Sequence, residues 1–178
     1  MAQKDLRDRL GYVPQKGVLF SGTIDSNIRY GKTDISRDQV KQAAAVAQAQ
    51  DFIEEKPHGY DSSVSQGGTN VSGGQKQRLS IARAIARDPE IFIFDDSFSA
   101  LDFKTDKALR QALKEHTENA TTIIVAQRIS TILGADQILV LDEGRMAGLG
   151  THRDLMKNCE VYRQIAMSQL SEEELANE

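Results

Sequence analysis

The stretch that decides the fold is Val71-Ser72-Gly73-Gly74-Gln75-Lys76-Gln77-Arg78, followed closely by Ile91-Phe92-Ile93-Phe94-Asp95-Asp96. Its first part is a Ser-Gly-Gly turn that opens directly into a helical pattern, which continues to Arg87. The first N–H groups of a helix have no partner within the helix, and the helix dipole makes this end positive. Such a terminus binds phosphate, so the pattern predicts nucleotide chemistry.

The apolar run from Ile91 to Phe94 predicts a central parallel strand that is covered on both faces. Asp95 then stands at the carboxyl end of this strand. Ligands bind at that edge of open α/β sheets, and a carboxylate there can hold the Mg²⁺ of a nucleoside triphosphate. The two motifs together favour a nucleotide-binding α/β fold over a plain helix cap beside a plain strand end.

Two more motifs accompany this pair, Tyr12-Val13-Pro14-Gln15 before it and Ser99-Ala100-Leu101-Asp102 after it. In this order the chain resembles the ABC ATPase family, with a Q-loop, a signature, a Walker B strand and a D-loop. The resemblance covers residues 5–168. It extends to the segment that follows the Q-loop in exporters, at 19–28, and to the last core strands and the turn after them, at 135–144 and 150–152.

The resemblance implies ATP and Mg²⁺ as ligands. For Mg²⁺ it implies Asp95 and Gln15, and Gln15 would also contact the attacking water. In this family two nucleotide-binding domains pack head to tail, so the signature of this chain would close over ATP bound to a partner. The nucleotide contacts that the resemblance implies are Gln15, Ser72, Gly73, Gly74, Gln75 and Asp102.

The phosphate-cradling loop of such ATPases has the pattern G-x-x-x-x-G-K-[ST]. The candidate here is Ser26-Asn27-Ile28-Arg29-Tyr30-Gly31-Lys32-Thr33, but Ser26 replaces the first Gly, no apolar strand precedes it, and it follows the Q-loop motif. We therefore predict a loop that leaves a short helix at this place. A true cradle is expected upstream of Met1, which would make the chain the C-terminal part of a nucleotide-binding domain.

Three positions depart from the family pattern. Asp96 stands where the family usually has a Glu that polarises the attacking water, and a side chain one methylene shorter holds its carboxylate further from that water. Gln127 stands where a His usually contacts the γ-phosphate, and Gln cannot carry charge. Gln66-Gly67-Gly68 replaces a charged motif that couples exporters to their transmembrane loops. The changes at the catalytic positions Asp96 and Gln127, beside an intact signature, indicate the degenerate half of a heterodimeric exporter.

Composition limits the alternatives. The 178 residues suffice for about one domain, and the net charge of −4 gives no reason to expect nucleic acid as a partner. Cys159 is the single cysteine, which excludes an internal disulfide framework and a multi-Cys metal site. Apolar runs stay well short of the roughly 20 residues that cross a bilayer. The fragment is therefore predicted to be soluble. The family resemblance implies that its parent is an integral membrane protein, with this domain at the cytoplasmic face of the cell membrane.

The predicted fold is a partial P-loop NTPase of the α/β class, with a parallel sheet core and a helical signature subdomain. Its predicted parts are the Q-loop strand region 1–19, the helical subdomain 20–87, the remaining core 88–170 and an acidic tail 171–178. The basic face of Lys76, Arg83 and Arg87 on the signature helix indicates solvation or contact with a neighbouring domain. The pattern predicts helices at 36–55, 75–87, 103–116, 154–158 and 161–168, strands at 10–14, 91–94, 121–126, 137–141 and 145–149, a loop at 56–71 and a turn at 142–144.

The leading functional hypothesis is the ATP-binding domain of an ABC-type membrane exporter. Its partners would be a second, different nucleotide-binding domain and the transmembrane domains, and the parent would hydrolyse ATP while this chain alone would not. A soluble ABC ATPase of DNA repair or chromosome maintenance and a non-catalytic interaction fragment are the alternatives. The first of these carries long coiled-coil arms between Q-loop and signature, whereas the interval from Gln15 to Ser72 is short and has no heptad run.

Overall fold

The computed structural model describes residues 2–32 and 34–170, and the predicted acidic tail 171–178 lies outside them. The chain forms two compact units, Met1–Val125 and Ala126–Glu178. In chain order the first unit contains α1 (Gln3–Asp8), β1 (Leu10–Val13), β2 (Gly22–Thr23), α2 (Ile24–Ile28), α3 (Arg37–Val46), α4 (Gln50–Glu54), β3 (Ser63–Val64), α5 (Gly73–Ala86), β4 (Ile91–Asp95), α6 (Phe103–His116) and β5 (Thr121–Val125). The second unit contains α7 (Ile129–Ile132), β6 (Ile138–Asp142), β7 (Arg145–Gly150), α8 (His152–Asn158) and α9 (Glu160–Gln169).

Three strands of the first unit form a parallel sheet in the order β1-β4-β5. The register pairs Val13 with Phe94 and Phe94 with Ile124. The apolar strand β4 is therefore central, as its sequence predicts. The mixed α/β class with a parallel sheet core is confirmed.

The two faces of this sheet differ in burial. Val13, Phe92 and Phe94 lie on one face and pack in a core with residues of α5, where they are at most 2% exposed. On the other face Tyr12 is 55% and Ile123 is 48% exposed. Burial therefore alternates along β4, and the prediction that both faces are covered is wrong for the part of the chain that the structure describes.

Helix starts are set by local side-chain bonds. The Ser36 hydroxyl accepts the N–H of Gln39 at 3.2 Å, while the Ser36 N–H donates to the Gln39 side chain at 2.8 Å. This reciprocal capping box stabilises the first turn of α3. The predicted cap at Ser36 is confirmed, and Thr23 and Thr151 cap α2 and α8 in the same way.

The segment 36–55, predicted as one helical segment, contains the two helices α3 and α4. The break falls at Gln48, which has a φ of 55°, and the next N–H, of Ala49, returns to the carbonyl of Ala44 at 2.8 Å. A residue in the left-handed region ends an α-helix because the following N–H groups leave the helical ladder. The predicted apolar stripe is nevertheless buried, at Val40, Ala44, Ala47 and Phe52.

Residues 26–32 form the end of α2 and the turn after it. Strand β2 before this helix has two residues, and Gly31 follows the helix with a φ of 86°. The Asn27 side chain is buried and bonds the backbone of Phe20 and Thr23 at 2.9 Å. The predicted loop leaving a short helix is thus confirmed for the described residues, and Thr33 lies outside them.

The segment 56–71 is mostly irregular, as predicted, but it contains the short strand β3, which pairs antiparallel with β2. Burial of Val64, which is 3% exposed, stabilises this pairing. The rest includes two single 3₁₀ turns, Gly59–Asp61 and Gln66–Gly68.

The second unit is built on the hairpin β6-β7, whose turn has Glu143 and Gly144 at φ 45° and 75°. Two residues of positive φ suit the right-handed twist of a hairpin, so the predicted turn and edge strand are confirmed. Its core includes the buried side chains Ile138, Val140, Leu155, Tyr162 and Ala166. Helix α7 was not apparent in the sequence pattern.

Candidate functional site

The carboxyl edge of β1 and β4 gathers three of the predicted site residues. Because these parallel strands end side by side, the residues that follow them meet at one place. The Gln15 side-chain amide donates to Asp96 Oδ2 at 3.2 Å, and the Tyr12 hydroxyl donates to Asp95 Oδ2 at 3.0 Å. Gln15, Asp95 and Asp96 thus form one polar cluster, which we call the edge cluster.

The donor set of the edge cluster fits Mg²⁺. Neither Asp95 Oδ1 nor Gln15 Oε1 accepts a hydrogen bond from the described residues. Mg²⁺ in nucleotide sites commonly takes one or two protein oxygens and completes its shell with phosphate and water. Within the described residues no group of three or more His, Cys, Asp or Glu side chains could hold a metal ion. The edge cluster would therefore hold the metal only together with a phosphate ligand.

Asp96 has an unusual backbone, with a φ of 44°. Its N–H donates to the Val125 carbonyl at 2.8 Å, and its carbonyl accepts the hydroxyl of Ser99 at 2.9 Å. Asp tolerates the left-handed region better than most residues, and these two bonds hold it there. The direction of its side chain is consequently set by the strand end and by the turn after it.

Two contacts at the edge cluster are not apparent from the sequence motifs. Ser97 is fully buried, and its hydroxyl donates to the Val13 carbonyl at 2.9 Å, which ties the ends of β1 and β4 together. The hydrogen bond to Asp95 raises the pKa of Tyr12 above its usual range. Tyr12 belongs to the Q-loop motif, but only the strand pairing reveals that it faces Asp95.

The predicted signature residues form the N-terminus of α5. The Ser72 hydroxyl accepts the N–H of Gln75 at 3.2 Å, and the Ser72 N–H donates to the Gln75 side chain at 3.1 Å. Ser72 and Gly73 are exposed. The side chain of Gln75 therefore stabilises the cap, while Ser72 and Gly73 stay open to solvent.

The two glycines of the signature have no steric explanation within the described residues. A Cβ at Gly73 would meet no atom within 4 Å, and one at Gly74 would lie 3.5 Å from the Ala100 carbonyl, an ordinary contact distance. Glycine in a helix costs roughly 0.5–1 kcal/mol relative to Ala. Close approach of another molecule would explain both residues, and the contact with Ala100 places the D-loop beside the signature.

Asp102 caps α6, where its Oδ1 accepts the N–H of Thr105 at 3.0 Å. The hydrogen bonds from Thr105 lower the pKa of Asp102, which is exposed. Gln127 lies in the second unit, just after β5, and its side chain is exposed. The backbone carbonyl of Gln127 accepts the side-chain amide of Gln169 at 2.9 Å, which holds this turn against the end of α9.

The basic face of α5 is not simply solvated. Burial lowers the pKa of Arg83 to about 10, and its guanidinium donates to the carbonyls of Asn27 and Val18, each at 2.8 Å. It also lies 5.3 Å and 5.5 Å from the ring centres of Phe20 and Tyr30. Arg83 thus joins α5 to the segment after the Q-loop, and the predicted solvated face is wrong at this residue.

Comparison with known proteins gives the family. Residues 1–99 match the ABC transporter family. The chain belongs to this family. The uncharacterized ABC transporter ATP-binding protein YfiB of Bacillus subtilis is 47% identical over 168 residues, which cover 94% of this chain and 29% of that protein. The human ATP-binding cassette sub-family B member 5 is 44% identical over 163 residues, which cover 92% of this chain and 13% of that protein.

A solved structure of an ABC exporter supports the same family assignment. A bacterial Atm1-family ABC exporter with ATP bound matches with a TM-score of 0.92 at 43% identity, over 97% of this chain and 30% of that one. The chain is therefore homologous to the ATP-binding domain of ABC exporters over most of its length. It spans about a third or less of the length of these relatives. Among the residues described here, no helix is long and apolar enough to cross a membrane.

Proposed function

We propose that this chain is the ATP-binding part of an ABC exporter, which couples the binding and hydrolysis of ATP to transport at the cytoplasmic face of a membrane. The observation that carries the proposal is the edge cluster in a chain that resembles ABC exporters along nearly its whole length. Its partners would be a second nucleotide-binding domain and the transmembrane domains. The exporter relatives support this function over a soluble ATPase of DNA repair.

Asp95 and Gln15 would hold Mg²⁺ with the phosphates of ATP. The metal, when bound, neutralises charge on the transferred phosphate. The protein contributes a fixed carboxylate, because Tyr12 holds one oxygen of Asp95 at 3.0 Å and leaves the other free. Gln15 lies two residues after β1, and its side-chain amide already donates to Asp96 at 3.2 Å.

Ser72, Gly73, Gly74 and Gln75 would serve the nucleotide of a partner subunit. Ser72 and Gly73 are exposed, and the absence of side chains at the two glycines would let a phosphate reach the free N–H groups. Asp102, the exposed cap of α6, follows Ala100 by two residues, and a Cβ at Gly74 would lie 3.5 Å from the Ala100 carbonyl. These residues would form one face of a head-to-tail pair of domains.

The chain's own site would be degenerate. Asp96 has the shorter carboxylate at the position of the general base, and its Oδ2 already accepts a hydrogen bond from Gln15. Gln127 replaces the His that would contact the γ-phosphate. Loss of a general base costs about 10²–10⁴-fold in rate. The assembly would then be a heterodimer, in which this subunit completes the competent site of a different partner.

Two substitutions in the assembled transporter test this assignment. Ser72→Arg should nearly abolish ATP turnover, because a bulky cation displaces the hydroxyl and N–H groups at the γ-phosphate. Asp96→Asn should lower ATP turnover only slightly. The steady-state ATPase rates of the two variants at saturating ATP measure these effects.

A matched control for the first substitution is Ser36→Arg. Ser36 caps α3 with the same reciprocal bonds that Ser72 makes at α5, so the control removes an equivalent cap from a helix other than the signature helix. Turnover should survive in this variant. A transporter that loses activity with Asp96→Asn and keeps it with Ser72→Arg would contradict the degenerate assignment.

A further inference from the structure

Gln77 is a polar residue of α5 that is 1% exposed, and both ends of its side-chain amide are used. Its Oε1 accepts the N–H of Gly17 at 2.8 Å, and its Nε2 donates to the carbonyl of Pro14 at 3.0 Å. Gln15 stands between these two backbone partners. The Gln77 amide therefore bonds the backbone on both sides of Gln15, the residue that contacts Asp96.

Gly17 brings the same loop close to the helix backbone. A Cβ at this position would lie 2.8 Å from the Lys76 carbonyl oxygen and 2.9 Å from the Ser80 hydroxyl. Real Cβ atoms do not approach other atoms so closely, so the glycine is needed for this contact. Loop 14–17 thus rests on α5 through two independent features, the amide of Gln77 and the missing side chain of Gly17.

We propose that Gln77 is a positioning residue, which holds loop 14–17 on the signature helix and so sets where the Gln15 side chain lies relative to Asp96. The inference rests on the proposed function. Since the signature residue Ser72 caps α5, a displacement of the signature helix would carry the loop and Gln15 with it. One buried amide would then link the nucleotide contacts on two faces of the domain.

The link can be measured in the chain without nucleotide. Gln77→Met keeps the shape of the side chain but removes both hydrogen bonds. We expect exchange of the Gly17 amide with solvent to accelerate about tenfold or more. The side-chain amide resonances of Gln15 should shift toward those of a free glutamine. The matched control is Gln42→Met, the same change at an exposed site of α3, which should alter neither signal.

The consequence for the reaction is measured in the assembled transporter. Gln77→Met should lower turnover at saturating ATP about tenfold, since a small misplacement of a positioned group is costly. The KM for ATP should stay within about twofold of the original value. Gly17→Ala changes the loop side of the same contact and leaves Gln77 in place, so it should lower turnover to a similar extent. If Gln77→Met does not fold, Gly17→Ala is the variant that tests the inference.

Unchanged Gln15 resonances in Gln77→Met, or shifted resonances with normal turnover, would overturn the inference. A wild-type assembly without ATPase activity would instead refute the proposed function. In that case the Gln15 resonances of the chain still decide whether Gln77 positions Gln15.

Discussion

Hydrogen bonds fix both the backbone and the side chain of Asp96. Its positive φ is maintained by the bonds to Val125 and Ser99, and its carboxylate accepts from Gln15. Glu143, elsewhere in the chain, has a φ of 45°, so a glutamate can adopt the same backbone conformation. A longer carboxylate at position 96 should therefore fit without a change of fold.

This residue-scale reasoning predicts a gain of function. Asp96→Glu combined with Gln127→His should accelerate hydrolysis at this subunit's own site about tenfold or more, because a base and an imidazole then reach the water and the γ-phosphate. The measurement is single-turnover hydrolysis in a heterodimer whose partner has lost its catalytic glutamate. Asp38→Glu with Gln42→His, the same pair of changes on the exposed side of α3, serves as the control.

An unchanged rate with ATP still bound would show that Asp96 and Gln127 do not limit this site. The limit would then lie in the partner's signature or in closure of the dimer.

At the scale of elements, a charged cluster joins three short pieces of the first unit. Asp25 of α2 accepts from Arg29 at 2.5 Å and from Arg37, at the start of α3, at 2.6 Å. Arg37 also pairs with Asp61 of the 3₁₀ turn at 3.1 Å. Burial by itself raises the pKa of Asp25, but the hydrogen bonds from both arginines outweigh it, and the pKa is lowered below the ordinary 3.8. The ionised form thus fastens α2, α3 and the turn together.

This cluster predicts a pH-dependent loss of stability. Asp25→Asn should lower the free energy of unfolding at pH 7 by about 2 kcal/mol, since it weakens two charge-assisted hydrogen bonds. A depressed pKa in the folded state contributes stability above the unfolded pKa and loses it as pH falls through the folded value. The difference between variant and wild type should accordingly shrink below pH 3.8.

Urea unfolding at pH 7 and near pH 3 measures this difference. Asp38→Asn, in the exposed first turn of α3, is the control and should cost only about 0.3–1 kcal/mol. An equal loss for Asp25→Asn at both pH values would mean that packing, and not charge, explains the effect.

At the scale of the whole molecule, the proposed function divides the chain between two nucleotide sites. On that proposal the edge cluster would belong to the chain's own site, and the exposed start of α5 would belong to a partner's. The stretch 26–33, with Gly-Lys-Thr at its end, does not match a phosphate cradle, because its first residues belong to helix α2 and the side chain of Asn27 bonds the backbone of Phe20 and Thr23. We therefore expect hydrolysis to require groups from outside these 178 residues.

The corresponding prediction is that the purified 178-residue chain does not hydrolyse ATP. Phosphate release with Mg²⁺ should equal that of a buffer blank, and Asp95→Ala should make no difference. Turnover above the blank that disappears in Asp95→Ala would refute the prediction. Weak binding of nucleotide is compatible with it, since Asp95 and Gln15 keep free oxygen atoms.

The sequence by itself determined the features that depend on near neighbours. The caps at Ser36 and Ser72 bond residues three positions along, the hairpin turn needs Glu143-Gly144 in succession, and β4 is recognisable from its own apolar run. Such features are set within one turn or one strand, so local composition predicts them. The family resemblance also lies in these contiguous motifs.

Only the tertiary structure decided which distant residues meet. The roles of Tyr12, Gln77 and Arg83 depend on partners 83, 60 and 56 positions away, at Asp95, Gly17 and Asn27. A polar residue on an amphipathic helix looks the same in sequence whether it faces water or a buried carbonyl. Pairing of β1 with β4 and packing of α5 on the Q-loop choose between these environments, because a buried polar group is stable only where the fold supplies its partner.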